Sequence, residues 1–408
     1  MNCQFCNSKL DKVFIDLGEL PSANRLVRLD QLNLEEPRYP HKVFICKECL
    51  LVQIPALHEA HDMFTENYIY FSSFAKSWVD HAREYVDKMI NKMNLDANSF
   101  VVEIASNDGY LLQHFVVKQI PCLGIDPAAN CAKAAQEKGV ATNTEFFTTK
   151  SAQKLSAQRG QADLIIGNNV FAHVPDVNDF IRGISILLKP DGVLTLEFPH
   201  VAQMIKNNQF DTIYDEHFSY FSFQVAQNIL ARHGLCIFDV EELPTHGGSL
   251  RILACQSTNK FMQVKQTVNK LLEAEQSQGL LDISGYVDFQ NKAEVIRGAF
   301  QNVVKAEKDK GNKIAAYGAA AKGNTFLNYC GIGSHSIDFV VDDTPAKQGL
   351  FLPGSHIPVV EEQKLKDEKP DLIIILPWNF RTEISNKLAY SREWGARFIT
   401  CIPKIDIY

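Results

Sequence analysis

The middle of the chain alternates strand-like and helix-like segments, and this pattern limits the fold more than any other feature of the sequence. Apolar runs bounded by polar residues predict strands at 99–105, 122–126, 162–168, 192–198, 236–242 and 251–256. Helical periodicity separates the first four strands, so they are expected to form crossover units in a mostly parallel sheet. The last two are joined only by LPTHGGSL, which is too short for a crossover helix and predicts an antiparallel hairpin.

Two regions of different character flank this predicted sheet. Residues 1 to about 70 are rich in turns, whereas residues 261 to 310 carry helical periodicity and a second alternating pattern begins at Lys313. A length of 408 residues fits two or three domains. We therefore predict an N-terminal lobe at 1–70, a central α/β domain at 71–260, and a C-terminal region at 261–408 in which a helical linker leads into a second α/β domain.

Two cysteine pairs mark the N-terminal lobe. Cys3 and Cys6 form one Cys-x-x-Cys pair and Cys46 and Cys49 form another, while the other six of the ten cysteines are scattered. Two such pairs suit a tetrahedral Zn²⁺ site with four thiolates and no open position, which is structural rather than catalytic. The alternatives are four unrelated thiols or a redox role for one pair, although neither pair occupies a strand-to-helix turn.

The net charge and the hydropathy of the sequence limit which binding partners and which cellular compartment we expect. The net charge of −7 argues against broad binding to a phosphate backbone, because proteins that do this usually present a basic face. No apolar stretch approaches the roughly 18 residues that span a bilayer, and the first residues lack the basic and apolar regions of a secretory signal. We therefore expect a cytoplasmic protein that binds neither nucleic acid nor membrane, with a monomer as the expected state.

Polar residues follow the first strands of the predicted sheet, where open α/β sheets bind their ligands. In chain order they are Glu103, Ser106, Asn107, Asp108, Gly109, Asp126, Asn168 and Asn169. An acid at the end of the second strand can accept hydrogen bonds from both ribose hydroxyls, and the first turn lacks the G-x-G-x-x-G pattern that cradles a pyrophosphate. These residues predict a nucleoside cofactor without pyrophosphate, S-adenosylmethionine, rather than NAD. A generic α/β domain with polar strand ends is the plainer interpretation.

Several motifs together are similar to those of one enzyme family. Besides the cysteine pairs they are ENYIYFSSF at 66–74, SNDG at 106–109, NNVFAHV at 168–174, YDEHFSYFS at 214–222, HGGSLR at 246–251 and YGAAAKGNT at 317–325. The combination spans nearly the whole chain and resembles the zinc-containing C-methyltransferases that act on nucleotide-linked 4-keto-deoxysugars. A parallel sheet that ends in a hairpin is also, by analogy, the class I methyltransferase fold. The expected fold class is therefore α/β, with a zinc-binding lobe, a class I methyltransferase sheet and a second Rossmann-like domain.

The resemblance implies roles for five residues. His217 would be the base that removes a proton from C3 of a 4-keto sugar, which suits an imidazole because it titrates near neutral pH. Tyr68, His173, Tyr214 and Glu216 would line the same pocket. Tyr214 or His173 would stabilise the developing oxyanion, and Glu216 would orient a sugar hydroxyl or the base. Taken alone, the Glu216–His217 pair also fits a surface loop and His173 fits a packing role, although the flanking aromatic residues favour a semi-apolar wall around the base.

The C-terminal region offers a second candidate ligand site. Gly318 follows a predicted strand and precedes a helix, and Lys322 adds a positive charge there. The resemblance implies that this lobe helps to bind the nucleotide of the substrate, with Lys322, Asn324 and Arg251 near phosphate and Ser249 also on the substrate. A degenerate sheet that serves as a lid is the alternative, because one lysine in a glycine-containing turn is a weak signal.

Other functions stay open on the sequence alone. An O- or N-methyltransferase for another small acceptor would keep the cofactor site without removing a proton from carbon. A zinc-ribbon nucleic-acid-binding protein is disfavoured by the net charge and by the few basic residues near the cysteines (Arg38, Lys42 and Lys47). An NAD oxidoreductase built on the C-terminal sheet is disfavoured by the absent dinucleotide fingerprint.

Overall fold

Three β-sheets organise the computed structural model of this protein, which describes residues 1–55, 68, 71–74 and 76–408. Of the ENYIYFSSF stretch, Glu66, Asn67, Ile69 and Tyr70 lie outside the described residues. The strands are β1 Lys12–Pro21, β2 Arg38–Ile45, β3 Val52–Gln53, β4 Val101–Ile104, β5 Cys122–Ile125, β6 Thr142–Asn143, β7 Ala162–Asn168, β8 Leu188–Pro199, β9 Ser219–Tyr220, β10 Leu235–Leu243, β11 Ser249–Gln256, β12 Ile314–Tyr317, β13 Phe339–Val341, β14 Val359–Val360, β15 Leu372–Ile375, β16 Arg397–Thr400 and β17 Asp406–Ile407. The α-helices are α1 Lys76–Met93, α2 Gln113–Val117, α3 Ala129–Glu137, α4 Thr149–Arg159, α5 Val177–Leu187, α6 Val201–Lys206, α7 Phe223–Arg232, α8 Gln266–Ser277, α9 Phe289–Asp309, α10 Ala321–Cys330, α11 Gln363–Glu368 and α12 Arg381–Lys387.

The central sheet has the strand order β10-β11-β8-β7-β4-β5-β6. Strands β4 to β8 pair in parallel, whereas β11 runs antiparallel to both β8 and β10. All six strands predicted here are present, and the predicted class I methyltransferase sheet with its terminal hairpin is confirmed. Strand β4 is buried at every position, as expected for a central parallel strand that helices cover on both faces.

The chain crosses from β4 to β5 on one side and returns to β7 on the other, which opens a crevice at the carboxyl ends of these strands. Two glycines allow the turn after β4 to pack closely. A Cβ atom at Gly124 would lie 2.3 Å from Ser106 Oγ, and Gly109 adopts a φ of +74° against Ala135. The crevice is therefore lined by backbone as well as by polar side chains.

The N-terminal sheet has the order β1-β2-β3-β9, all antiparallel. Its fourth strand, β9, comes from the central region of the chain and pairs Val52 with Tyr220. A shared apolar core also joins this sheet to the helical linker, because the ring of Phe14 stacks on that of Phe289 at 4.9 Å. The N-terminal lobe, which carries both cysteine pairs and is called the cysteine lobe from here on, is thus packed into the neighbouring elements rather than attached by a linker.

The C-terminal sheet has the order β14-β13-β12-β15-β16-β17 and is parallel except for the last strand. The predicted second Rossmann-like α/β domain is therefore confirmed. Helix α9 packs on α10 through Phe300 and Phe326, whose ring centroids are 4.9 Å apart. Among the helices that the structure describes, none is long and apolar enough to cross a membrane.

Candidate active site and zinc site

Four thiols converge at the edge of the N-terminal sheet. The Sγ atoms of Cys3, Cys6, Cys46 and Cys49 all lie within 4.8 Å of one another. The Cys3–Cys49 and Cys6–Cys46 sulfur pairs are each 3.5 Å apart, close to the roughly 3.8 Å that a tetrahedral site with Zn–S bonds of about 2.3 Å requires. Gln53 Nε2 donates to Cys3 Sγ at 3.2 Å, a contact that orients this ligand. The donor set fits a closed structural zinc site.

The crevice at the end of β4 gathers the predicted cofactor-binding residues. Glu103 is fully buried, and burial together with nearby Asp126 raises the pKa of its carboxyl well above the ordinary value. Ser106 Oγ, Asp108 Oδ1 and Asn168 Oδ1 are buried and, within the described part of the chain, make no hydrogen bond. Buried acceptors and donors of this kind call for a polar ligand, which fits the nucleoside part of S-adenosylmethionine.

Asp126, at the end of β5, is held in place by the backbone. Its Oδ2 accepts a hydrogen bond from the Asn107 amide at 2.8 Å, and its Oδ1 accepts one from the Ala128 amide at 3.0 Å. Burial raises the pKa of this carboxyl. Each carboxyl oxygen has a second lone-pair direction, so the group retains the capacity to accept hydrogen bonds from the two hydroxyls of a ribose.

A segment that precedes α1 lies over the turn after β4. The Ser72 amide donates to Asn107 Oδ1 at 2.8 Å. Lys138 bridges the two parts, because its Nζ atom lies 2.8 Å from Asp108 Oδ2 and 2.6 Å from Ser73 Oγ. The cofactor turn is therefore covered by residues from the ENYIYFSSF stretch, a contact that the sequence pattern did not reveal.

The loop at residues 212–217, named the catalytic loop for the base that the sequence predicts in it, places an imidazole at the centre of the candidate site. His217 is only 8% exposed. Its Nδ1 atom lies 2.8 Å from the Thr212 carbonyl oxygen, which can only accept, so Nδ1 carries the proton. Its Nε2 atom lies 2.7 Å from the Tyr214 hydroxyl and is left as the basic nitrogen. Burial, with the nearby His173 and Lys322, lowers the pKa of His217 well below its ordinary value.

Two more predicted residues surround this imidazole. The ring of His173 lies edge-on to that of His217 with centroids 4.7 Å apart, and burial lowers the pKa of His173 to about 4. His173 Nδ1 is also 4.0 Å from Glu216 Oε2, and Glu216 is buried. The Tyr68 carbonyl oxygen accepts from Asn130 Nδ2 at 2.7 Å, which places the Tyr68 backbone beside α3.

A third histidine links this cluster to the C-terminal sheet. Asn169 Nδ2 lies 3.0 Å from His246 Nε2, and burial lowers the pKa of His246 to about 4. Lys322, in the first turn of α10, places Nζ 3.4 Å from the His246 carbonyl oxygen and 5.1 Å from the ring centre of Trp378. Burial lowers the pKa of Lys322 as well. Trp78 packs its ring against the edge of His246 with centroids 5.2 Å apart.

Arg251 differs from its predicted place near a phosphate. The guanidinium is buried, donates to Glu197 Oε2 at 2.6 Å and lies 4.5 Å from the ring centre of Tyr85. Burial opposes ionisation of Glu197, yet its hydrogen bond from His81 and the charge of Arg251 hold the pKa of this carboxyl below its ordinary value. The guanidinium is thus committed to a buried ion pair within the fold, and the arrangement gives no support to a phosphate contact by Arg251.

The other predicted substrate residues are also engaged within the chain. Ser249 Oγ donates to the Thr245 carbonyl oxygen at 3.0 Å. Asn324 Nδ2 donates to the Ala23 carbonyl oxygen at 2.6 Å. Neighbours of Ala23 in the cysteine lobe, Ser22 and Asn24, hydrogen-bond to the catalytic loop. The contacts of Ser22, Ala23 and Asn24 join residues about 190 positions or more apart, so no local pattern in the sequence predicts them.

Comparisons with known proteins agree with this organisation. Three family models match successive parts of the chain, "Putative zinc binding domain" at 3–64, "Methyltransferase domain" at 78–239 and "C-methyltransferase C-terminal domain" at 244–403. C-methyltransferase NovU from Streptomyces niveus is 34% identical over 402 residues, which cover 98% of this chain and 95% of that protein. Among solved structures, magnesium protoporphyrin IX methyltransferase (ChlM) from Synechocystis with bound SAH is 17% identical, with 44% of this chain and 83% of that chain covered and a TM-score of 0.36. A SAM-dependent methyltransferase from Anabaena variabilis is 14% identical, with 42% and 83% covered and a TM-score of 0.35.

Proposed function

Because this chain belongs to the family of zinc-containing C-methyltransferases that use S-adenosylmethionine, we propose that it methylates C3 of a nucleotide-linked 4-keto-deoxysugar with His217 as the base. The observation that carries the proposal is the tautomer of the His217 imidazole, which its two hydrogen-bond partners fix. Its Nδ1 proton is held by the Thr212 carbonyl and its Nε2 lone pair points at the Tyr214 hydroxyl. A buried, neutral imidazole with one fixed tautomer is ready to accept a proton from carbon.

The proposed reaction needs a second group for the ketone oxygen. When the C3–H bond breaks, the proton passes to His217 Nε2 and the electron pair moves into an enolate whose charge rests on the C4 oxygen. The Tyr214 hydroxyl lies 2.7 Å from the same nitrogen. Rotation about its C–O bond would turn the hydroxyl hydrogen toward the ketone oxygen of a sugar bound next to His217. We assign Tyr214 as the donor to the enolate, where a positioned hydroxyl lowers the barrier most effectively. Adenosylmethionine, when bound, would supply the methyl group, with its sulfur–methyl bond breaking as the bond to C3 forms and S-adenosylhomocysteine leaving.

The nucleotide of the substrate is assigned to the side of α10 that faces His246. Burial lowers the pKa of Lys322, and the charge of nearby Asp211 offsets this shift only in part, so an approaching anion would further stabilise the charged lysine. The crevice at the carboxyl end of the C-terminal sheet is less suitable. A Cβ at Gly318 would lie 2.3 Å from Pro377 Cγ, so the backbone there is already covered. We therefore propose Lys322 as the phosphate contact, with Asn324 supporting the neighbouring segment.

The test uses exchange of hydrogen for deuterium at sugar C3 in D₂O, with a nucleotide-linked 4-keto-deoxysugar and S-adenosylhomocysteine in the cofactor site. The wild type is expected to exchange this hydrogen, because proton removal precedes methyl transfer. His217→Asn is expected to lose both exchange and turnover while its affinity for adenosylmethionine is unchanged. Exchange that persists in His217→Asn removes His217 as the base. A wild type that methylates an oxygen or nitrogen without exchange at carbon overturns the proposed reaction.

A further inference from the structure

The cysteine lobe reaches the catalytic loop through one short segment, Ser22–Asn24, which follows β1. Ser22 Oγ donates to Asp215 Oδ2 at 2.6 Å, and the Ala23 amide donates to Asp215 Oδ1 at 3.0 Å. The Asn24 side chain makes the next contact, because its Nδ2 atom donates to Glu216 Oε1 at 2.6 Å. Three successive residues of the lobe therefore contact the two acidic residues of the loop.

The same segment is held from its opposite side by the C-terminal domain. Asn324 Nδ2, in the first turn of α10, donates to the Ala23 carbonyl oxygen at 2.6 Å, and both residues are buried. Bonds to Ala23 and Ser22 thus set the backbone position independently of the Asn24 side chain. Asn24 is consequently presented to Glu216 as a donor of fixed position, a preorganised contact that costs little to maintain.

We infer that Asn24 is a positioning residue for methyl transfer, which sets the direction of the Glu216 carboxylate inside the active site. This inference rests on the proposed function and on the role that the family resemblance implies for Glu216, which is to orient a sugar hydroxyl or the His217 base. The Asn24 amide donates to one carboxyl oxygen of Glu216 at 2.6 Å, and this hydrogen bond can hold the buried carboxyl group against rotation. The second carboxylate oxygen lies 4.0 Å from His173 Nδ1, and fixing the first oxygen aims the second into the cluster of histidines.

The test compares two substitutions of Asn24. A packing role and a positioning role predict opposite orders of kcat for the two variants. Asn24→Ala removes the donor and is expected to lower kcat about tenfold, as for loss of one buried hydrogen bond. Asn24→Asp keeps the shape but sets a second carboxyl against Glu216, so its loss of kcat is expected to be larger. Zinc content and affinity for adenosylmethionine should stay at wild-type values in both variants. Asn2→Ala, an exposed asparagine of the same lobe, is the matched control and should leave kcat unchanged.

A double-mutant cycle with Glu216→Ala then separates positioning of Glu216 from a general effect on the fold. Adding Asn24→Ala to Glu216→Ala is expected to lower kcat by less than about twofold, since the group that Asn24 positions is gone. Three results would overturn the inference. They are a kcat of Asn24→Ala within twofold of wild type, a kcat of Asn24→Asp above that of Asn24→Ala, and a double variant whose loss of kcat is the product of the two single losses. Absence of C3 exchange in the wild type overturns the proposed function itself, whereas normal exchange with an unimpaired Asn24→Ala variant overturns only the role of Asn24.

Discussion

Acid should destabilise this protein through its buried histidines, and the size of the effect follows from their pKa values. Burial lowers the pKa of His173 from 6.5 to about 4, and the same holds for His246. A histidine with a lowered folded-state pKa binds more protons when the chain is unfolded, so the stability that it contributes is complete above pH 6.5 and is lost as the pH falls toward 4. At pH 5.5 each of the two costs about 1.4 kcal/mol, and together they remove about 3 kcal/mol relative to pH 7.5.

Urea unfolding at pH 7.5 and pH 5.5, followed by tryptophan fluorescence, measures this loss. His173→Asn removes one titrating group, so its free energy of unfolding should depend on pH by about 1.4 kcal/mol less than that of the wild type. His335→Asn, at an exposed histidine, is the control and should keep the wild-type dependence. Protonation of zinc-binding thiolates affects all three proteins equally and cancels in the comparison. An identical pH dependence in the wild type and His173→Asn would refute the assignment of a buried neutral imidazole.

Three further substitutions test other parts of the structure. Cys46→Ser removes one of four sulfur ligands and should lower the zinc content measured by atomic emission to well below one ion per chain; a full complement of metal would contradict the thiolate site. Arg251→Met leaves the Glu197 carboxylate buried without its cation, so urea unfolding should show a loss of about 3–5 kcal/mol, and a loss below 1 kcal/mol would argue against the buried pair. Gly247→Ala places a Cβ 2.3 Å from Trp378 Cη2 at a φ of +91°, and should cost about 1–3 kcal/mol and shift tryptophan emission; an unchanged spectrum would speak against this packing.

The central sheet was predictable from the sequence because its strands are buried on both faces. A strand of this kind is a continuous apolar run with polar ends, which one sequence shows directly. The largest difference in a strand boundary concerns β8, which begins at Leu188 rather than at 192 because Leu188 pairs with Ala162 before an irregularity that ends where Val193 pairs with Leu164. Strand β9 was not predicted, since two residues in a loop carry no periodicity.

The sequence indicated which residues gather at the candidate site, whose roles stay predictions, better than it indicated the partners that each residue contacts. Strand-end acids and the catalytic loop could be placed because residue type and position along the sheet limit what they can contact. Arg251 shows the opposite case, because on β11 it faces Glu197 of β8 and Glu241 of β10 in register, and its charge is neutralised across the sheet. Such pairing depends on which strands become neighbours, as does the contact of Asn24 with Glu216, and neither is visible before the topology is known.

The entry of Ser219 and Tyr220 into the N-terminal sheet has a consequence for how the chain is made. The first three strands of that sheet are complete when residue 53 has been synthesised, but the fourth arrives some 160 residues later. A ribosome adding about 5–20 residues per second would leave the nascent lobe with an unpaired edge for about ten seconds or more. Zinc captured early would keep the growing lobe compact during that interval, and a fragment truncated before Ser219 would be expected to aggregate through its open edge.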